Sequence, residues 1–153
     1  MKFTTLSALA LVCALTGCFH AVETAPPKTV EITGDDDMKF NVTSFAVAPG
    51  QKVTLTLKNI GELPKEAMSH NWVLLEQGTD AARLVQTGVG HPESDYIPSD
   101  RSVYVLAKTK LVGPGESDTI TFTAPLNPGL YEYICTFPDH YPRGMKGIMT
   151  VRP

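Results

Sequence analysis

Between Thr29 and Arg152 the chain is cut into eight short runs: "TVEIT", "FNVTSFAV", "KVTLTLKN", "HNWVLLE", "VYVLAKTKL", "SDTITFT", "GLYEYIC" and "KGIMTVR". In most of them apolar and polar residues alternate, which turns one face of a strand to a core and the other to water. Pro49-Gly50, "VGPGE" and "APLNP" punctuate the runs with turn residues. Eight strands of this kind predict an all-β antiparallel sandwich or barrel. One stretch breaks the pattern. In "GTDAARLVQTG", Thr79 or Asp80 caps a short helix running through Leu84 and Val85, with Gly88 as its stop. "VGHPESDYIPSDR" then reads as surface loop, giving a short helical flap between strands 4 and 5.

With 153 residues the chain has room for one domain that buries a core without disulfide staples. Its formal charge of −3 gives no support to nucleic-acid binding, which needs a basic surface.

The first residues have a different character. Lys2 precedes "LSALALVCAL", too short to span a bilayer and shaped like a signal h-region. It runs into Leu15-Thr16-Gly17-Cys18, which resembles the lipobox of bacterial lipoproteins. The resemblance implies a signal peptide over 1–17, lipid on Cys18, and a tether over 18–28 that leads to a domain over 29–153. By analogy with enteric lipoproteins, Phe19 in place of an aspartate favours the outer membrane, with the outer face of the cytoplasmic membrane as the alternative. With Cys13 removed and Cys18 acylated, Cys135 is the only free thiol, and no disulfide within the chain is available. A lone thiol in an oxidising compartment needs protection, which a metal supplies.

That thiol stands in "YICTFPDHYPRGMKGIMTV". Cys135, His140 and Met145 are spaced C-x4-H-x4-M, which fits neither a helix face nor a strand face. Cys135 closes a strand, and the other two lie on the loop to the next, shaped by Pro138, Pro142 and Gly144. A thiolate, an imidazole and a thioether form a soft donor set suited to copper. A His₂Cys site needs a second imidazole, and His20, His70 and His91 remain. His20 lies in the tether and His91 in a polar flap. His70 opens the strand "HNWVLLE" directly after the loop "GELPKEAMS", at the strand end where loops of a sandwich cluster. It is the natural partner.

"ELPKEAMSHNWVLL", "GESDTITF" and "YICTFPDHYPRGMKG" together resemble the type 1 copper proteins, the cupredoxins of the azurin and auracyanin branch, over roughly Thr29 to Pro153. The resemblance implies an eight-stranded Greek-key β-sandwich. It also implies one copper held in a trigonal plane by His70, Cys135 and His140, with Met145 as weak axial ligand. The Ser69 carbonyl, just before the first histidine, is implied as a further weak axial oxygen. Asn71 would bridge the two ligand loops, and it and the Phe137 N–H would point at the Cys135 sulfur. Trp72 is expected in the core. The family's disulfide is missing here.

The function implied is an electron carrier of the bacterial cell envelope, on its periplasmic side, with no catalysis of its own. Its partners would be redox proteins such as c-type cytochromes or membrane oxidoreductases, met by a monomer. Leu63, Pro64, Met68, Pro138, Asp139, Tyr141 and Pro142 form the expected docking patch, with Asp139 and Arg143 as a charged rim. An envelope copper chaperone using the same ligands is the alternative. A Cys–His hydrolase leaves methionine without a role, a binuclear copper site needs a second cysteine, and a nitrite reductase needs more histidines. Zinc leaves Met145 unexplained.

Overall fold

The computed structural model describes residues 25–153. The signal, Cys18 and His20 lie outside the described residues. Eight strands form: β1 (Lys28–Gly34), β2 (Ser44–Val47), β3 (Lys52–Asn59), β4 (Val73–Leu75), β5 (Val105–Lys108), β6 (Ser117–Thr123), β7 (Gly129–Ile134) and β8 (Lys146–Val151). A helix, α1 (Ala81–Gly88), and two 3₁₀ turns, Pro92–Ser94 and Ser99–Tyr104, lie between β4 and β5. One sheet has the order β1-β3-β6 and the other β2-β8-β7-β4-β5. This is the expected two-sheet sandwich with its flap.

The antiparallel expectation needs one correction. β1 pairs with β3 in parallel, and β2 pairs with β8 in parallel. β1 and β2 belong to opposite sheets. No hairpin joins either of them to its ladder partner, so the tight turn that enforces antiparallel pairing is absent.

Alternation sets the inward faces. Val53, Leu55 and Leu57 of β3 face the core with Val30 and Ile32 of β1. Thr54 and Thr56 face water and meet Thr121 and Thr119 hydroxyl to hydroxyl, at 3.3 and 2.8 Å. Trp72 is fully buried between Tyr133 and Phe122, at 5.4 and 5.7 Å between ring centres.

The run "HNWVLLE" does not alternate, and the flap supplies the reason. Leu74 faces the main core, whereas Val73 and Leu75 pack outward beneath Ala81, Leu84 and Ile97. Both faces of β4 are therefore covered. Asp80 caps α1, its carboxylate accepting from the Arg83 N–H at 3.0 Å. Gly88 does not stop the helix with a left-handed turn, since Val89 after it keeps right-handed helical angles. Its role is close approach: a β-carbon there would lie 2.0 Å from the Tyr96 carbonyl. The stretch read as surface loop is partly structural, because Ile97 is buried beneath the flap.

Candidate metal centre

Four strands end at one place. β1 stops at Gly34, β3 at Asn59, β7 just before Cys135, and β8 begins just after Met145. The β7–β8 ladder runs up to Ile134 opposite Lys146, and the Cys135 N–H then donates to the Met145 carbonyl at 3.1 Å. The loop between is closed at its base by that bond. Inside it, the Met145 N–H donates to the His140 carbonyl and the Gly144 N–H to Tyr141, both at 2.9 Å. Such turns need left-handed residues, and Asp139 and Gly144 provide them, at φ of 66° and 96°. The spacing that fitted no regular period is thus a coiled loop fixed by its own backbone. From below, Lys39 donates its ammonium to the Arg143 carbonyl and lies against Gly144.

His70 lies just before β4, the neighbour of β7 in the same sheet. Its N–H and carbonyl make a two-bond bridge to Val112, at 3.0 and 2.8 Å. Asn59, itself buried, donates from its side chain to the carbonyls of Met68 and Val112 at 3.0 and 3.1 Å. The Ser69 hydroxyl donates to the Lys65 carbonyl, completing the brace.

The donors converge. One ligand atom each from His70, Cys135 and His140 lies within 4.8 Å of the others. Nδ1 of His70 is 3.2 Å from Nδ1 of His140, which is 3.4 Å from the Cys135 sulfur. Met145 is at the same place: its methyl and the His70 ring both lie 2.8 Å from where a β-carbon on Gly34 would stand. All four side chains are buried.

Burial sets the protonation of the donors. Burial keeps the His140 imidazole down at about 4, helped by the charges of His70 and Arg143. Burial also holds His70 below its usual value, against the Asp35 backbone and the carboxylates of Asp35 and Asp36. Both rings are neutral at pH 7 and offer lone pairs. Burial pushes the Cys135 thiol up to about 12, while the N–H groups of Asn71 and Phe137 pull the other way. Two neutral nitrogens and a sulfur facing one another in a dry pocket suit a soft cation. The residues present fit one copper.

The Asn71 side chain joins the two ligand loops. Its oxygen accepts from the Thr136 N–H at 2.9 Å, and its amide donates to the Thr136 hydroxyl at 2.7 Å. That hydroxyl donates onward to the Asp95 carbonyl at 2.6 Å. Tyr96 then meets Phe137 edge-on at 5.4 Å, and Phe137 lies 4.9 Å from His140. The flap is thus part of the site's surroundings.

The expected docking patch is redrawn. Leu63, Pro64, Asp139 and Pro142 are exposed, and Pro138 and Tyr141 are half-buried. Met68 is buried and contributes little surface. His140 is only 1% exposed, so it lies just under the surface, not on it. A groove of about 410 Å³ runs between the loop and α1, adding Val85 and Val89 to Phe137 and Tyr141. His91 stays apart, paired on the surface with Glu93 at 3.3 Å.

Sequence reading missed Gly34, Lys39, Asn59 and Thr136. A glycine ending an otherwise alternating strand is a signal of close approach and was available for Gly34. Nothing local marks the other three.

Residues 28–152 match the family described as copper-binding proteins, plastocyanin/azurin family. Azurin of Pseudomonas aeruginosa is 38% identical over 151 residues, covering 96% of this chain and 97% of azurin. Auracyanin-B of Chloroflexus aurantiacus is 37% identical over 139 residues, 90% of this chain; the match spans 57% of that longer protein. Outer membrane protein H.8 of Neisseria gonorrhoeae is 38% identical over 111 residues, 71% of this chain and 60% of H.8. Among solved structures, reduced auracyanin from Roseiflexus castenholzii superposes with a TM-score of 0.72 at 41% identity, over 82% of this chain and 97% of that one.

Proposed function

The chain belongs to the plastocyanin/azurin family of copper-binding proteins, and from that premise we propose that it is an electron carrier of the bacterial cell envelope. His70, Cys135 and His140 would hold the copper, Met145 would be the weak fourth ligand, and the carbonyl of Ser69, the residue just before His70, would be a further weak backbone oxygen. Bound there, copper supplies a one-electron couple between Cu(I) and Cu(II), for which sulfur and imidazole are matched donors.

One observation carries the reading: three donor atoms within 4.8 Å, all buried and each braced by backbone bonds. Residues held this way do not move far when the charge at their centre changes, so little reorganisation opposes transfer. The Asn71 and Phe137 N–H groups take up part of the sulfur's negative charge and bias the potential. A buried donor set leaves no open position for a substrate, which supports a carrier over an enzyme. His140, under Phe137 at the rim, is the exit for the electron. The groove and the exposed Leu63 and Pro64 suit brief encounters with redox proteins such as c-type cytochromes or membrane oxidoreductases.

The lipobox-like run ending at Cys18 supports a carrier anchored by lipid to a membrane and facing the periplasm. The relative H.8, an outer membrane protein by name, supports the outer membrane.

The test is an optical spectrum of the copper-loaded chain titrated with ascorbate and reoxidised. An intense visible band that bleaches and returns supports the carrier. Copper that is reduced once and then lost to a mild chelator overturns it in favour of an envelope copper chaperone.

A further inference from the structure

The four strands that converge on the donors have their other ends together. β1 starts there at Lys28, β3 at Lys52 and β7 at Gly129, and β8 finishes at Val151. β7 and β8, six residues each, set this face about 20 Å from the loop that carries Cys135 and Met145. The chain arrives from its amino-terminal side at this same face, where the Gln51 side chain donates to the Pro26 carbonyl at 2.6 Å.

Two leucines stand out on it. Leu126 is 75% exposed and Leu130 62%. Leu126 lies over the β2–β3 turn, 3.2 Å from where a β-carbon on Gly50 would stand. Pro26, Pro27 and Pro128 are exposed around them. The charges there are Lys28, Lys52 and Arg152, and none of the three forms an ion pair among the described residues. Further along the same end lie Arg101 and three acids: Glu76 directly after β4, whose charge acts on Tyr131, Asp80 at the start of α1, and Asp100, which pairs with Arg101. A basic, leucine-bearing end on a chain of net charge −3 is a polarity with a direction.

We infer that this end rests on a lipid surface, Leu126 and Leu130 entering the headgroup boundary and Lys28, Lys52 and Arg152 facing anionic headgroups, so that the metal end points into the aqueous space. The inference rests on the reading of Cys18 as lipidated. From Cys18 to Pro26 is eight residues, which reach at most about 28 Å. A tether that short holds the face at high effective concentration over the membrane, so that a weak attraction is enough to orient the domain. The acidic remainder of the surface is repelled from the same headgroups. Electron partners must then approach from the aqueous side, not along the bilayer.

The experiment uses the full-length chain, isolated from membranes and reconstituted on vesicles of phosphatidylcholine and phosphatidylglycerol. An environment-sensitive fluorophore is placed at the exposed Asn127, as Asn127→Cys, and in a second sample at the metal end, as Glu62→Cys. Cys135 is fully buried and is not labelled. The position-127 label is expected to blue-shift and brighten about twofold on vesicles, and position 62 to stay water-like. Lys28→Glu, Lys52→Glu and Arg152→Glu together abolish the change at 127, as does Leu126→Ser with Leu130→Ser. A protein that floats with the vesicles while position 127 reads water overturns the docking alone. A protein that does not float, or that floats equally well as Cys18→Ala, overturns the anchor and the inference with it.

Discussion

Gly34 lies against the His70 ring so closely that a β-carbon on it would stand 2.8 Å from Cδ2, and equally close to the Met145 methyl. Its φ is not in the left-handed region, so an alanine is allowed by the backbone and forbidden only by the site. Gly34→Ala is therefore expected to push His70 and Met145 apart. Overpacking of this kind costs about 1–3 kcal/mol. Denaturant unfolding reads the loss, and the visible band of the copper form shifts or weakens. A variant with unchanged band and stability would show that the end of β1 does not shape the site.

Asn71 and Thr136 exchange two buried hydrogen bonds across the ligand loops. Asn71→Ala leaves the Thr136 N–H without its acceptor. The expected loss is about 2–3 kcal/mol, since a buried donor then bears its desolvation unpaid. Copper should also dissociate faster, because His70 and Cys135 are no longer coupled. Asn71→Leu, which fills the space without the bonds, separates packing from hydrogen bonding. Copper retention in both variants equal to that of the unchanged chain would refute the bridging role.

Lys39 reaches the Arg143 carbonyl from outside the loop. Lys39→Met is expected to leave global stability nearly unchanged, because the ammonium is largely exposed and its bond competes with water. The local effect is the diagnostic one. Amide exchange at Gly144 and Met145 should quicken, and Lys39→Arg should restore it. Unaltered exchange in the methionine variant would mean that the loop's own turns suffice.

Asp139 holds φ at 66°, where glycine pays no steric penalty, and it is exposed. Asp139→Gly should raise stability by about 0.5–1 kcal/mol and leave the blue absorption intact. The rate with a charged redox partner should change, because a rim charge acts mainly on encounter. Loss of colour in this variant would place Asp139 inside the site and not at its rim.

The strands were legible because alternation is a local property, and every alternating run from β1 to β8 became a strand. β4 was the exception in kind: its buried outer face depends on α1 and Ile97 folding back over it, which no alternation within the strand encodes. The parallel pairings of β1 and β2 were not legible either, since no turn signal encodes which sheet a strand joins. At the site, Cys135, His140 and Met145 could be read from chemistry in one short loop, and His70 from its place at a strand end. Asn59 and Lys39 could not. Their roles exist only where carbonyls of Met68, Val112 and Arg143 arrive through folding.

Metal loading has a definite proton count at pH 7. Burial keeps the Cys135 thiol protonated, its value pushed up to about 12, and keeps His140 neutral, at about 4. His70 is likewise held below its usual value by burial. Only the thiolate binds metal, so Cys135 must release its proton and the imidazoles have none to give. One proton per metal is expected, with apparent affinity rising about tenfold per pH unit from pH 7 towards 9. Raising the pH favours binding because the free thiol, not the complex, carries the proton. Zinc is a suitable redox-silent probe, and titration calorimetry in two buffers of different ionisation enthalpy counts the protons. A count of zero would mean that the thiolate already exists in the metal-free site, stabilised by Asn71 and Phe137 beyond the cost of burial. A count of two would mean that the His70 or His140 ring is charged before metal arrives, and that the two Nδ1 atoms at 3.2 Å share a proton that the metal displaces.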